Sequence, residues 1–235
     1  DWRDAVGALE FQGEAMRLTR AALPSNKSLI GFVGGPWTLM GYAVEGSHTG
    51  GLPRTQAAAP ELLPRFFDKI VPLLEANIRL QLDGGAEVVL VLDTAAGVLG
   101  PDQFREWILP SLKYLCEVFP GRLGYYTRDA DEAHWDIVRG AALPLAGVGF
   151  DAGISLQRGL KERTSGFIQG NFDQHFLSLP DEEFRVRLEE FIEAADSVGI
   201  DGRRGWVCGL GHGCTPQTRE ANVRKFVQTV RERLR

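Results

Sequence analysis

Three side chains of this 235-residue chain sit where sequence alone would place chemistry: Tyr42, Arg128 and His212. Tyr42 belongs to the run LIGFVGGPWTLMGYAVEG, from Leu29 to Gly46. Leu29, Ile30, Phe32 and Val33 read as a buried strand, Gly34-Gly35-Pro36 breaks it, and Trp37 to Tyr42 follow at helical spacing. Glycines in such a turn let the backbone approach a large flat ligand, while Trp37 and Tyr42 supply apolar walls and one hydroxyl. His212 stands between Gly211 and Gly213 just past the last apolar run, where an imidazole can reach a carboxylate. Arg128 follows the run RLGYYT, and its guanidinium suits bidentate binding of a carboxylate. Its competing use is a pair with Asp129 or Asp131. Asp93, Asp151 and Asp173 sit at or near other strand ends; three carboxylates around one rim would make a divalent metal site in an unfamiliar barrel. His48, His134 and His175 have no comparable setting and read as surface residues.

These groups meet only if the elements that carry them run side by side. Besides residues 29–33, strand-like runs lie at 87–93, 122–127, 145–151, 166–173 and 206–210. Between them the spacing predicts helices over 61–82, 101–119, 134–140, 155–163 and 182–197, with a last helix over 218–234. An imperfect amphipathic helix, weakened by Gly7 and Gly13, is expected over 4–22, and residues 46–60 read as a long mobile loop. Alternation of strands and helices implies a parallel α/β sheet with helices outside it, and every candidate residue then lies at the strands' C-terminal ends. Six strands fall short of the eight of a closed barrel, while the glycine fingerprint of an open dinucleotide-binding sheet is missing after the first strand.

With 44% hydrophobic residues the chain can bury a large core as one domain, residues 1–235. A net charge of −5 argues against nucleic acid or an anionic membrane as partner, and no apolar run approaches the length of a membrane span. Cys116, Cys208 and Cys214 are few, odd in number and scattered, which fits a reducing cytoplasm better than a disulfide scaffold.

The run Leu29–Gly46 resembles the GF-G-PWTL-Y--EG segment of the uroporphyrinogen decarboxylase family, and Gly209–Val223 (GLGHGCTPQTREANV) resembles the family's LGHG--P-T---NV motif. Both occur in the family's order and at about its spacing. The resemblance implies a (β/α)8 TIM barrel, of which this chain supplies about six βα units, strands 3 to 8. The opening Asp1-Trp2 agrees with an earlier portion, carrying two further strands, that is cut away or unseen. It also implies cofactor-free, metal-free removal of carboxyl groups from a small-molecule tetrapyrrole, by a cytoplasmic homodimer. By the same resemblance Tyr42 and His212 are catalytic, while Phe32, Leu92, Thr94 and Arg128 bind substrate. Leu92 stands where relatives have phenylalanine and Thr94 where they have serine, so an apolar wall and a hydroxyl are kept. Asp151 and Asp173 have family counterparts outside the principal chemistry and read as loop-organising residues; Gln169 and Asn171 orient a loop or ligand. The family's central aspartate and arginine-rich motif lie in the N-terminal portion, so this segment alone is expected to be inactive.

Two other readings compete. Zinc-dependent corrinoid methyltransferases look similar but carry His-x-Cys after a middle strand, where this chain has GYYTRD; His212-Gly213-Cys214 has that form only at the last strand. A non-catalytic tetrapyrrole-binding homologue would keep the fold without the aspartate and arginines.

Overall fold

All six expected strands form: β1 (Ile30–Gly34), β2 (Val88–Leu92), β3 (Leu123–Tyr126), β4 (Gly147–Gly149), β5 (Phe167–Phe172) and β6 (Trp206–Leu210). They are seen in a computed structural model that describes residues 2–234. The strands pair in parallel and in chain order, with Phe32 beside Leu90 and Leu92 beside Tyr126. Helices alternate with them, as in a partial (β/α)8 barrel. Because every strand runs the same way, the loops that follow them share one rim.

One face of the sheet is sealed by helices and the other carries the rim's apolar lining. Val33, Val89, Val91 and Tyr125 point into the main core against α3 (Pro36–Glu45), α4 (Pro53–Asp83) and α6 (Leu109–Val118), and Ile168 extends that core on β5. On the opposite face Phe32 is 63% exposed at one sheet edge and Val207 43% exposed at the other. A second core gathers around Phe172, where Phe184, Phe191 and Phe226 meet its ring from α9 (Asp181–Asp196) and α11 (Glu220–Arg233).

Three helical readings need correction. The expected loop over 46–60 is shorter, because α4 starts at Pro53 and runs 31 residues. Pro53 suits a first turn, and Glu45 Oε1 accepts hydrogen bonds from the Thr55 N–H and hydroxyl, pinning that turn to the end of α3. The expected first helix is two, α1 (Trp2–Gly7) and α2 (Glu10–Ala22); α2 buries Gly13 and leaves Leu18 62% exposed, so the apolar stripe does not mark the contact face. Helix 101–119 holds a π-turn at Phe104–Ile108, whose wider winding turns Phe104, Trp107 and Ile108 all inward.

The outer edge of β1 is not left bare. The Phe32 N–H donates to Gln81 Oε1 at 2.9 Å, and Gln81 Nε2 donates back to the Phe32 carbonyl at 2.9 Å. One amide side chain from α4 thus fills the two ladder positions that a neighbouring strand would otherwise take.

Candidate active site

Buried carboxylates tie the loop after β4 to the loop after β3, and the loop after β2 to the start of α3. Asp151, just past β4, accepts the Asp129 N–H on Oδ2 at 2.6 Å and the Ala152 N–H on Oδ1 at 2.8 Å. Its carbonyl accepts from Asn171 Nδ2, which also donates to the Ile154 carbonyl. After β2, Asp93 is fully buried, and its Oδ1 accepts both the Thr38 N–H and the Thr38 hydroxyl, at 2.7 and 2.8 Å. Its other oxygen has no hydrogen-bond partner among the described residues, and burial raises its pKa to about 6. Gly35 explains why the turn after β1 needs no side chain: a Cβ there would lie 2.2 Å from Asp93 Cβ. Gly97 does the same between β2 and β3, where a Cβ would lie 1.9 Å from the Arg128 carbonyl oxygen.

Inside this rim is a cleft of ≈ 250 Å³ whose lining includes Leu90, Leu92, Tyr126, Gln169, Leu210 and His212. Tyr126 is the last residue of β3, in register with Leu92, and its hydroxyl lies 2.8 Å from the Gly211 carbonyl and 3.0 Å from His212 Nδ1. The His212 pKa is lowered, first by burial and then by Arg128, so the imidazole favours its neutral form. Arg128 is half-buried; its Nε donates to Asp129 at 3.1 Å, and its backbone N–H bonds the Thr94 carbonyl. Tyr42, on α3, is half-exposed with its hydroxyl 2.5 Å from His48 Nδ1. His48 also disfavours protonation of His212, which places both histidines in one electrostatic neighbourhood. The rim therefore offers two phenols, two imidazoles and one guanidinium around an apolar floor, a set able to bind an anionic flat molecule and hand protons to it.

The family profile described as Uroporphyrinogen decarboxylase (URO-D) matches residues 2–233. The chain belongs to the uroporphyrinogen decarboxylase family. A uroporphyrinogen decarboxylase of Synechococcus sp. is 32% identical over 237 residues, covering 96% of this chain and 65% of its own length. That of Francisella philomiragia is 29% identical, covering 97% and 67%. The chain thus spans about two thirds of the length of the curated relatives it matches. Among solved structures, a methyltransferase from Methanosarcina mazei superposes with a TM-score of 0.70 at 19% identity, over 94% of this chain and 63% of that one. A putative vitamin-B12 independent methionine synthase from Listeria monocytogenes follows at TM-score 0.57 and 13% identity, over 93% and 67%. At those identities the likeness is one of fold.

Within this uroporphyrinogen decarboxylase family chain, the structure brings Leu92 and His212 into the cleft and sets Arg128 and Thr94 beside it. Tyr42 lies on the same rim with His48, and Phe32 sits on the lining face beside Leu90. Several sequence readings change. Trp37 is no pocket wall: it is fully buried, stacked on Trp107 with ring centroids 5.4 Å apart. The glycines of its turn face Leu39 and Asp93 rather than a ligand. His134 is no surface residue either; its Nε2 meets the Leu99 carbonyl at 2.9 Å while Nδ1 caps α7 (Glu132–Gly140) against Asp131. His48 is half-buried on Tyr42, whereas His175 is exposed as expected. The Arg128–Asp129 pair, the competing use of that guanidinium, is formed. Asp151 and Asp173 do organise loops, the latter by accepting the His175 N–H. Tyr126 was missed; its signal is the alternation of RLGYYT, which turns one tyrosine to the core and the next to the cleft. Cys208, the thiol nearest His212-Gly213-Cys214 in sequence, is pushed up to about 12 by burial and so stays protonated. No helix among the described residues is long and apolar enough to cross a membrane.

Proposed function

We propose that this chain is the C-terminal part, a single domain over residues 1–235, of a uroporphyrinogen decarboxylase. The observation that carries the reading is the convergence of Leu92, Tyr126, His212, Arg128 and Tyr42 on one rim, in a chain of this family. The substrate bears eight carboxylates on a flat tetrapyrrole, four of them acetates. Protonating an electron-rich pyrrole carbon makes a cationic ring that accepts the electron pair released as each acetate C–CO2 bond breaks. A second proton then converts the resulting methylene to methyl, and loss of the first proton from the ring carbon restores the pyrrole; four such rounds give coproporphyrinogen. No metal or organic cofactor is required by that chemistry. Tyr42 and His212 take the proton-handling and hydrogen-bonding roles; Arg128 and Thr94 bind substrate carboxylates, and Phe32 and Leu92 supply apolar contact. On this reading the protein is a cytoplasmic homodimer of tetrapyrrole synthesis, and residues 1–235 alone do not turn over.

Uroporphyrinogen, incubated anaerobically with the full-length protein, should lose CO2 stepwise to coproporphyrinogen, read by chromatography of the oxidised porphyrins. Tight porphyrin binding without CO2 loss would move the protein to the non-catalytic class. Stoichiometric zinc with methyl-transfer activity would move it to the methyltransferase class.

A further inference from the structure

We propose that Tyr126 is a positioning residue that fixes the tautomer of His212, so that this imidazole meets its ligand as a hydrogen-bond acceptor at Nε2. A phenol has one proton to give and an oxygen that accepts. The Tyr126 oxygen lies 2.8 Å from the Gly211 carbonyl oxygen and 3.0 Å from His212 Nδ1. The carbonyl can only accept, so the phenol proton goes to it. The phenol oxygen is then the acceptor for Nδ1, which must carry the imidazole proton. Nε2, which makes no hydrogen bond among the described residues, keeps its lone pair. The two rings lie parallel within 3°, at a centroid separation of 6.2 Å, an offset stack that accompanies the bond. The charged and titratable groups around His212 are Arg128 and His48, which disfavour its cation, and Asp151 and Asp129, which favour it; burial and Arg128 outweigh the carboxylates.

The sequence reading gave His212 a carboxylate as partner. A neutral imidazole with a free Nε2 lone pair instead selects a donor, such as a pyrrole N–H or a protonated carboxyl group, and leaves carboxylate binding to Arg128. That assignment of ligand groups rests on the decarboxylase reading; the tautomer does not.

The test is nitrogen-15 NMR of the histidine rings in the full-length protein without ligand, with His212 assigned by its loss in His212→Asn. The expected spectrum shows a protonated-type Nδ1, an unprotonated-type Nε2, and titration below the ordinary histidine range. In Tyr126→Phe the populations should swing toward the Nε2–H form that free imidazole side chains prefer, and kcat/KM for uroporphyrinogen should fall about fivefold. An Nε2–H tautomer in the wild type overturns the proposal, and so does an unchanged tautomer in a folded Tyr126→Phe. If that variant fails to fold, the wild-type spectrum still decides. An Nδ1–H spectrum in a protein that never turns over uroporphyrinogen would uphold the role of Tyr126 and remove the decarboxylase reading.

Discussion

Asp93 shows how one buried carboxyl can serve structure rather than chemistry. Two donors from Thr38 meet one of its oxygens, the other is bare, and burial raises the pKa from 3.8 to about 6. Between those values the folded chain keeps a proton that the unfolded chain has released. Stability contributed by this group is therefore greatest in acid, falls as pH rises through the window, and the full penalty, about 3 kcal/mol, stands above pH 6. Asp93→Asn preserves an acceptor for Thr38 and removes the titration. Urea unfolding from pH 4 to 8 should show the variant losing that slope and equalling or exceeding the wild type above pH 6. At the rim, Tyr42→Phe and His212→Asn should each lower kcat by about 10²-fold with near-normal porphyrin binding, measured by anaerobic turnover and fluorescence titration. Removing His48 with Ala, which strips the phenol of its partner, should cost less than removing the phenol itself.

The elements position these residues through contacts that periodicity does not encode. Strand β1 reads plainly from its apolar run, but the filling of its outer edge by Gln81 depends on where α4, 49 residues later, happens to end. Gln81→Leu keeps the volume and leaves the Phe32 N–H and carbonyl unpaired; it should cost about 1–3 kcal/mol in chemical denaturation. Its amide exchange at Phe32 should rise in parallel. Gly97→Ala acts differently. A Cβ 1.9 Å from the Arg128 carbonyl forces the loops after β2 and β3 apart, so the loss, about 1–3 kcal/mol by the same measurement, should come with loss of the hydrogen bond from the Arg128 N–H to the Thr94 carbonyl.

For the molecule as a whole, the two cores divide the labour. The larger one joins the sheet to α3, α4 and α6; the aromatic one around Phe172 fastens α9 and α11 beneath β5 and β6, and so holds the strand that delivers His212. Phe184 is fully buried there, and Phe184→Ala should destabilise by about 3–5 kcal/mol, seen as a lower Tm. Alternation of apolar runs with helical spacing was enough to read six parallel strands and a rim bearing Tyr42, Arg128 and His212, because burial pattern and chain direction are local properties of sequence; Leu92 was added only by the family resemblance. Alternation did not reveal that Trp37 is core, that His134 caps a helix from inside, or that Tyr126 and His48 are the partners of His212 and Tyr42. Two of those pairings are near in sequence, yet each depends on how a turn folds back; Tyr126 and His212 stand 86 residues apart. Hydrogen-bond partners of that kind are chosen by the close packing of loops from neighbouring strands, and only the tertiary structure brings those loops within reach of one another.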